Sequence, residues 1–415
     1  HLVHPLPLIL PHQKTMRPLW LLRIGLMLYD YLSRVNTLPH SKLIYRDKQP
    51  LYFQPLVNSY TKGFLFYDGT ADDARLTLAN AMQAKENGAT ILPHTKLVDA
   101  QTSNKQWQLS LQPKFGTPII INAKTVINTA GPWVEAVNQL LKIPSAYPMA
   151  LVKGSHLIVP KLYEGEYAYM LQHADKRIVF VIPYHGCTLI GTTDVPFSGQ
   201  PDDATIDANE INYLCNLINQ YFNQQLDERS IITTWSGVRP LLSAAYKTPS
   251  TLSRDYAYHY VNTPAPAVSV YGGKITTYRQ LSIQAVNTLR HVFPNLPESR
   301  TSNLPLPGAT IQTMNFIEYQ NYANQKYNWL DDETKKRYLN NYGTRTEVFL
   351  RDCRSMADLG KRFTSTLYEI EVNYLIEHEW ATSCEDILWR RTKLGLVINE
   401  AEKEELDMYL LNKRI

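Results

Sequence analysis

Glycine is scarce in this chain, and several patterns that mark common enzyme classes are missing. It has 18 glycines among 415 residues, about 4%, where soluble proteins average about 7%. The sequence contains no G-x-G-x-x-G, G-x-x-x-x-G-K-[ST], H-E-x-x-H or G-x-S-x-G segment. Their absence argues against a complete dinucleotide-binding fold, a P-loop NTPase, a zincin and a serine hydrolase within these residues.

Cysteine, one-sided charge and long hydrophobic runs are lacking too. Four scattered cysteines with no C-x-x-C pair predict neither a disulfide framework nor a metal site. A net charge of +4 predicts no nucleic-acid partner. The apolar stretch 19–32 is interrupted by charge and too short to cross a membrane. It predicts an amphipathic helix, either packed or facing a membrane. The chain opens with His1 without a signal-peptide pattern, so we expect its natural beginning to lie upstream.

What is present predicts an α/β protein with a helical end. Residues 1–18, with four prolines, predict an extended loop. The run 71–84 predicts a helix, and the strand-like runs that follow it indicate an α/β fold. Residues 147–275 are rich in strand patterns, with a helix capped by Asp207. After about residue 310 helical periodicity dominates. We therefore expect interleaved lobes over 1–300, a linker over 301–310 and an all-α domain over 311–415.

Two segments place small residues at the ends of predicted strands. Thr129, Ala130 and Gly131 follow the strand 125–128 in T-A-G-P-W. Gly272 and Gly273 end another strand and open a helix, and Lys274, Thr276 and Thr277 follow them. Small residues let a ligand approach the backbone, and a helix start offers free amides to an anion. The threonine hydroxyls are expected to cap that helix. For T-A-G-P-W alone, a tight strand–helix turn without a ligand is an equal interpretation.

Three further residues carry side chains suited to chemistry. His156, in K-G-S-H, is a candidate base or hydrogen-bond donor, although an isolated histidine is more often structural. Arg239 and Arg254 lie in S-G-V-R-P and S-R-D-Y, and an arginine fork suits phosphate or carboxylate. For each arginine, a surface pair with aspartate is the alternative.

At these residues the chain resembles the respiratory, quinone-reducing, FAD-dependent glycerol-3-phosphate dehydrogenases. The resemblance covers practically the whole chain, through the segments R-P-L-W-L-L-R-I-G-L-M-L-Y-D, D-D-A-R-L, N-T-A-G-P-W, K-G-S-H, D-K-R-I-V-F-V-I-P, I-G-T-T-D, S-G-V-R-P-L, S-R-D-Y, G-G-K-I-T-T-Y-R, E-V-N-Y-L-I-E-H-E-W-A-T-S and L-W-R-R-T-K-L-G. The family pattern begins with a G-x-G-x-x-G unit that holds the FAD pyrophosphate, and from the resemblance we expect about ninety residues carrying it to be missing here. A catalytically inactive remnant, or an interaction surface, is therefore the alternative to an active enzyme.

The resemblance implies a D-amino-acid-oxidase-like FAD/NAD(P)-binding fold with a mixed-sheet substrate domain. It implies oxidation of sn-glycerol 3-phosphate to dihydroxyacetone phosphate, with hydride transfer to FAD and electrons passed to ubiquinone. It also implies peripheral association with the cytoplasmic face of the inner membrane, or a cytoplasmic protein, and it allows a homodimer. A flavin oxidase of amines is disfavoured, because three cations suit a phosphate better than an amino acid.

The resemblance also assigns roles to single residues. Catalytic roles fall on His156, Arg239 and Lys274. The phosphate contacts are expected from Arg239, Arg254, Lys274, Thr192 and Thr193. The FAD contacts are expected from a larger set, namely Thr129, Ala130, Gly131, Gly272, Gly273, Lys274, Thr276 and Thr277. We predict that the cations converge beside the carboxyl edge of a sheet.

Overall fold

The structure is a computed structural model, and it describes residues 1–13, 16–32, 38–173, 177–242, 255–311 and 314–413. The chain divides into two compact units. The larger comprises residues 5–68 and 94–298, and the smaller comprises 1–4, 69–93 and 299–415. The division at 301–310 that the sequence suggests stays a prediction.

Fifteen strands and ten helices form the described parts of the chain. The strands are β1 (Val3–His12), β2 (Lys42–Tyr45), β3 (Lys62–Ala71), β4 (Thr95–Ser103), β5 (Gln106–Pro113), β6 (Ile119–Ala123), β7 (Val126–Asn128), β8 (Met149–Pro160), β9 (Ala168–Gln172), β10 (Ile178–Tyr184), β11 (Cys187–Gly191), β12 (Val195–Pro196), β13 (Thr233–Leu242), β14 (Tyr256–Val261) and β15 (Ala267–Gly272). The helices are α1 (Leu19–Leu32), α2 (Asp73–Glu86), α3 (Val134–Leu140), α4 (Ala208–Tyr221), α5 (Tyr278–Asn287), α6 (Phe316–Lys326), α7 (Asp332–Tyr342), α8 (Thr346–Phe349), α9 (Glu369–Glu379) and α10 (Glu400–Lys413).

A nine-stranded mixed sheet dominates the larger unit. Its order is β12-β8-β11-β10-β9-β1-β3-β2, and β13 also pairs with β8. One face is covered by α4, whose N-terminus carries the predicted Asp207 cap within a full capping box. Leu214 and Ile218 of this helix are buried in the same apolar cluster as Leu157 of β8. The sheet therefore provides a rigid base for side chains at the ends of β8, β11 and β13.

The expectation of an extended loop over residues 1–18 is wrong for most of that segment. Residues 3–12 form β1, which lies between β9 and β3 inside the large sheet, and Ile9 is fully buried. Pro5, Pro7 and Pro11 occupy alternate positions of the strand. The backbone N–H groups that they lack would all face the same neighbouring strand. Apolar residues between the prolines supply the burial that fixes the strand.

Two smaller sheets complete the larger unit. Strands β4, β5 and β6 form an antiparallel meander. Strand β15 lies between β14 and β7, antiparallel to the first and parallel to the second. Because β7 and β15 run in the same direction, their carboxyl ends lie at one edge of the sheet. The segments 129–131 and 272–274, predicted separately to contact a flavin, therefore begin at a common edge.

Helix α1 confirms the predicted helix, and it carries an unusual apolar surface. None of its residues is buried. Leu19, Leu22 and Leu26 pack partly against the large sheet, while Trp20 and Tyr31 are 64% and 82% exposed. Among the described residues, no helix combines the length and hydropathy that crossing a membrane requires.

The smaller unit is helical, as predicted for the chain's end, and is built on α2 with α6 to α10. Its core is aromatic and contains Tyr338, Tyr342 and Tyr374. A buried ion pair ties α2 to α9, since Arg75 makes two hydrogen bonds to the Glu379 carboxylate, one of them 2.8 Å long. The guanidinium also lies 4.6 Å from the ring centre of Tyr342. Both charges are satisfied internally, as buried charges must be.

Candidate active site

The two glycine turns at the common edge have backbones that only glycine adopts easily. Gly131 has a φ of +56°, and no atom lies within 4 Å of the place where a Cβ would be. Gly272 and Gly273 have φ of +74° and +107°. A Cβ on Gly272 would stand 2.5 Å from the Asp255 carbonyl oxygen. The open space before Gly131 allows a flat ligand to approach the backbone.

A buried polar network that the sequence analysis missed holds the first turn. Asn128 accepts a hydrogen bond from the Ala130 amide at 3.1 Å and donates to the Asn138 side chain at 2.9 Å. Asn138 donates to the Tyr271 hydroxyl at 2.8 Å and accepts from Ser269 at 2.6 Å. Because Ser269 and Tyr271 belong to β15, the network joins β7, α3 and β15 immediately below the turn. Its one local signal is the asparagine that begins N-T-A-G-P-W.

Arg239 lies on β13, opposite Val152 of β8. Its guanidinium donates to the Asp194 carboxylate at 2.6 Å and to the Thr192 hydroxyl at 3.1 Å. Arg239 thus has the aspartate partner that the alternative interpretation allowed, although the pair is only partly exposed and the partner is distant in sequence. A Cβ on Gly154 would lie 2.8 Å from the guanidinium, so glycine at this position leaves room for it. The side chain remains 32% exposed and keeps further donors for a ligand.

His156 lies on β8 between β11 and β13, opposite Gly191 and Trp235. Its ring is 5.9 Å from that of Trp235 and covers Gly191, where a Cβ would collide with it. Its Nδ1 is buried and has no hydrogen-bond partner among the described residues. Burial, and then the charge of Arg239, lower the pKa of His156 to about 4. The imidazole is therefore neutral near pH 7, and one of its buried nitrogens is free.

Thr193 is placed differently from the ligand contact that the resemblance implies. It is 1% exposed, and its hydroxyl donates to Glu210 at 2.5 Å and accepts from the Ser155 amide at 2.9 Å. Glu210 also accepts from the Ser155 hydroxyl at 2.8 Å and pairs with Lys153 at 2.8 Å. Thr193 thus braces the segment that carries Thr192, and its hydroxyl is already engaged.

Glu210 is a second functional residue that sequence reasoning missed. It is 3% exposed and completes the capping box of α4. Burial acts to lower the pKa of Lys153, but Glu210 and then Asp207 outweigh it and raise that pKa. The carboxylate thereby joins α4, β8 and the segment after β11 beneath Arg239. The D-x-x-E spacing of Asp207 and Glu210 predicts the capping box, but it does not predict the buried contacts of Glu210 with Lys153, Ser155 and Thr193.

Lys274 follows the second glycine turn; it is exposed and forms no ion pair or hydrogen bond through its ammonium among the described residues. The expected capping by threonine hydroxyls is wrong. Thr277 stands at the N-cap of α5 without a side-chain capping bond, and its hydroxyl donates instead to the Lys274 carbonyl. Thr276 is exposed in the turn of 3-10 helix that precedes α5.

The described site residues form two neighbouring groups. His156, Thr192 and Arg239 form one group on the large sheet, while the glycine turns form the other at the β7–β15 edge. Strand β13, which carries Arg239, contacts both β15 and the turn 131–133. Arg254, the second predicted phosphate ligand, lies outside the described residues.

Comparison with known proteins defines the class first. The family described as FAD dependent oxidoreductase matches residues 22–269. The family described as the C-terminal domain of alpha-glycerophosphate oxidase matches residues 299–408. Of solved structures, the glycerol-3-phosphate dehydrogenase from Bacillus halodurans, complexed with FAD, superposes with a TM-score of 0.78 at 22% identity. That match covers 99% of this chain and 78% of the other. The chain therefore has the fold of an FAD-dependent oxidoreductase.

Curated relatives narrow the class to a family. A glycerol-3-phosphate dehydrogenase of Pseudomonas aeruginosa is 42% identical over 99% of this chain and 80% of its own length. A D-erythritol 1-phosphate dehydrogenase of Brucella abortus is 38% identical over 97% of this chain and 81% of its own. The aerobic glycerol-3-phosphate dehydrogenase of Escherichia coli is 36% identical, over 99% and 82%. The chain belongs to the glycerol-3-phosphate dehydrogenase family of FAD-dependent oxidoreductases.

Proposed function

We propose that this protein oxidises sn-glycerol 3-phosphate to dihydroxyacetone phosphate, with FAD accepting the hydride and a quinone receiving the electrons. The observation that carries the proposal is the group formed by Arg239, Thr192 and the neutral His156. It joins a phosphate-binding fork to a proton acceptor beside two turns suited to a flavin. The sequence relatives named glycerol-3-phosphate dehydrogenases support the same substrate.

The substrate phosphate is assigned to Arg239 and Lys274. Two of the five N–H donors of a guanidinium are used in the bonds of Arg239 to Asp194 and Thr192. The remaining donors and the partial exposure leave the fork able to bind a phosphate oxygen. Lys274 is an exposed point charge at the edge where the glycine turns meet. Arg254 is proposed as a further phosphate ligand on the basis of the resemblance alone.

The proton of the substrate's secondary alcohol is assigned to His156. A neutral imidazole accepts a proton, and the lowered pKa of His156 keeps it neutral across the physiological range. A phosphate dianion beside Arg239 would offset the positive charge that helps to lower this pKa. Substrate binding would therefore make His156 a stronger base at the moment when it is needed.

The residues of the β7–β15 edge fit a flavin. Gly131 leaves open space at its Cβ position, and the backbone at Gly272 and Gly273 excludes side chains. We propose that Thr129, Ala130 and these glycines provide close backbone approach, with the amides near Thr276 and Thr277 facing the flavin ring. When bound, the flavin supplies the hydride acceptor.

Flavin content and turnover test this function together. The protein is purified, incubated with FAD and separated from unbound flavin, and its flavin absorbance is measured. Turnover is then compared on glycerol 3-phosphate, D-erythritol 1-phosphate and glycine with an artificial electron acceptor. A yellow protein that turns over glycerol 3-phosphate fastest supports the proposal. A colourless protein that FAD does not reconstitute supports the inactive remnant, and preference for glycine refutes the phosphate assignment.

Arg239→Ala tests the phosphate contact within that assay. We expect flavin to stay bound and KM for glycerol 3-phosphate to rise by at least tenfold, since a charge-assisted hydrogen bond contributes about 1.5–3 kcal/mol. Arg300→Ala removes an exposed arginine of the smaller unit and is the matched control. Wild-type KM in Arg239→Ala would show that this arginine does not bind the phosphate.

Peripheral membrane association is proposed from the exposed apolar face of α1. Trp20, Met27, Tyr31 and Leu32 are each more than 60% exposed, and a helix with such a face inserts into the headgroup region of a bilayer. We expect wild-type protein to cosediment with vesicles of anionic phospholipid. The double variant that combines Trp20→Ser and Tyr31→Ser should remain in the supernatant. Leu411→Ser, on the exposed side of α10, is the control. Equal sedimentation of all three proteins would contradict the assignment.

A further inference from the structure

A cavity in the smaller, helical unit is lined by none of the residues assigned above. It has a volume of about 510 Å³ and lies between the end of α6, the helix α8 and the turn after α8. Cavities of about 300–1,000 Å³ are typical of small-molecule sites. Its lining residues are Lys326, Tyr327, Trp329, Glu347, Val348, Leu350, Arg351, Cys353 and Arg354. We call it the α6–α8 cavity.

The lining of the α6–α8 cavity carries more cationic than anionic side chains. Its one lining carboxylate, Glu347, already accepts bonds from Lys326 at 2.8 Å and from the Tyr319 hydroxyl at 3.1 Å. Arg354 donates through Nη1 to two backbone carbonyls and retains its other donors. Arg351 is exposed and has no hydrogen-bond or ion-pair partner for its side chain among the described residues. Two guanidinium groups are therefore available to an anion.

Another part of the lining is apolar and aromatic. Tyr327 and Leu350 are buried, and Trp329 is half-buried beside them, with its ring 6.3 Å from that of Tyr327 in an edge-to-face arrangement. Val348 adds a further aliphatic surface. A half-buried indole that is held against a neighbouring ring is a good partner for a flat ring.

We propose that the α6–α8 cavity binds a small organic anion that carries a flat ring, and that nucleoside phosphates are the class it takes. The ring lies against Trp329, and the phosphate is held by Arg351 and Arg354. A ligand with both parts uses the whole cavity, whereas a bare ring or a bare phosphate uses half of it. This site is independent of the flavin and of the proposed oxidation of glycerol 3-phosphate.

Isothermal titration of the purified protein with AMP tests the proposal. We expect saturable binding, with adenosine and inorganic phosphate each binding at least tenfold more weakly than AMP. Arg351→Gln should weaken AMP binding at least tenfold, because it removes a charge that has no structural partner. Trp329→Leu should weaken it at least threefold. Arg362→Gln, an exposed arginine of the same unit outside the cavity, should bind AMP like wild type.

Three outcomes would overturn the proposal. They are no heat of binding with millimolar AMP, wild-type affinity in both Arg351→Gln and Trp329→Leu, and phosphate binding as tight as that of AMP. Circular dichroism of each variant separates lost binding from lost folding. If Trp329→Leu is unfolded, Trp329→Phe takes its place and should retain part of the affinity.

Discussion

The pH dependence of unfolding provides a direct test of the buried, neutral state assigned to His156. Burial and the charge of Arg239 lower the pKa of His156 from 6.5 to about 4. As the pH falls below 6.5, the unfolded chain takes up a proton on this imidazole while the folded chain does not. The contribution of the neutral imidazole to the free energy of unfolding is therefore complete above pH 6.5, and it is lost as the pH falls from 6.5 towards 4.

The size of the effect follows from the same two pKa values. A pKa that differs by one between the folded and the unfolded chain corresponds to about 1.36 kcal/mol. Between about pH 7.5 and about pH 5, His156 should account for a loss of about 2 kcal/mol in the free energy of unfolding. His156→Asn removes this dependence, although the smaller side chain also lowers stability at every pH.

The assay is urea denaturation followed by tryptophan fluorescence at both pH values. The quantity compared is the change in unfolding free energy between the two pH values, which should be about 2 kcal/mol smaller in His156→Asn than in wild type. His4→Asn removes an exposed histidine and should behave like wild type in this comparison. An equal change in wild type and His156→Asn would refute the assignment of His156 as a buried neutral base.

Three further substitutions test the supports of the site and the fold. Glu210→Gln should destabilise the larger unit by about 3 kcal/mol in denaturant titrations, because it leaves the buried Lys153 with only the longer, 3.5 Å contact to Asp207. Glu379→Gln should destabilise the smaller unit by a similar amount, because it leaves the buried Arg75 without its carboxylate partner. For either variant, a loss of stability below about 1 kcal/mol would show that water reaches the ion pair. Gly131→Ala should cost about 1–2 kcal/mol for its backbone and should also weaken FAD binding. Gly116→Ala, with a φ of +98° and open space around its Cβ, should show the backbone cost alone.

Local signals in the sequence predicted the elements whose causes are local. Asp207 caps α4, as its position predicts, and Asp72 accepts a hydrogen bond from the Arg75 amide at the start of α2. An acidic residue before a helix satisfies an amide that the helix itself leaves free, so three or four neighbouring residues decide the outcome. The glycine turns belong to the same group, because a positive φ is a property of one residue.

The larger error arises where distant contacts decide. The prolines of residues 3–12 favour a loop by composition, but the neighbouring strands β9 and β3 bury the segment as β1. The local preference there amounts to about 1 kcal/mol or less, and tertiary packing outweighs it. The error at Thr277 is local, because its hydroxyl bonds to the Lys274 carbonyl three residues earlier instead of capping α5.

The residues that orient the site residues through hydrogen bonds and ion pairs were the hardest to predict from the sequence. Asp194 and Glu210 belong to segments that stand out in the sequence for other reasons, the first in I-G-T-T-D and the second in a capping box. Their bonds to Arg239 and Lys153 span 45 and 57 positions, and only the pairing of β8 with β11 and β13 brings them together. The candidate ligands could be predicted as residue types, whereas the groups that orient them required the fold.

The relation between Arg239 and His156 allows the two causes of the lowered pKa to be separated. Arg239→Gln keeps a side chain of similar length and removes the charge, so the pKa of His156 should rise from about 4. Because burial is the larger cause, the new value should remain below 6.5. Nuclear magnetic resonance of the His156 imidazole, titrated in wild type and Arg239→Gln, measures both values without any bound flavin. A pKa at or above 6.5 in the variant would show that charge alone keeps the imidazole neutral. An unchanged pKa would mean that phosphate binding at Arg239 cannot adjust the base, and the coupling proposed between the substrate's phosphate and its alcohol would then be lost.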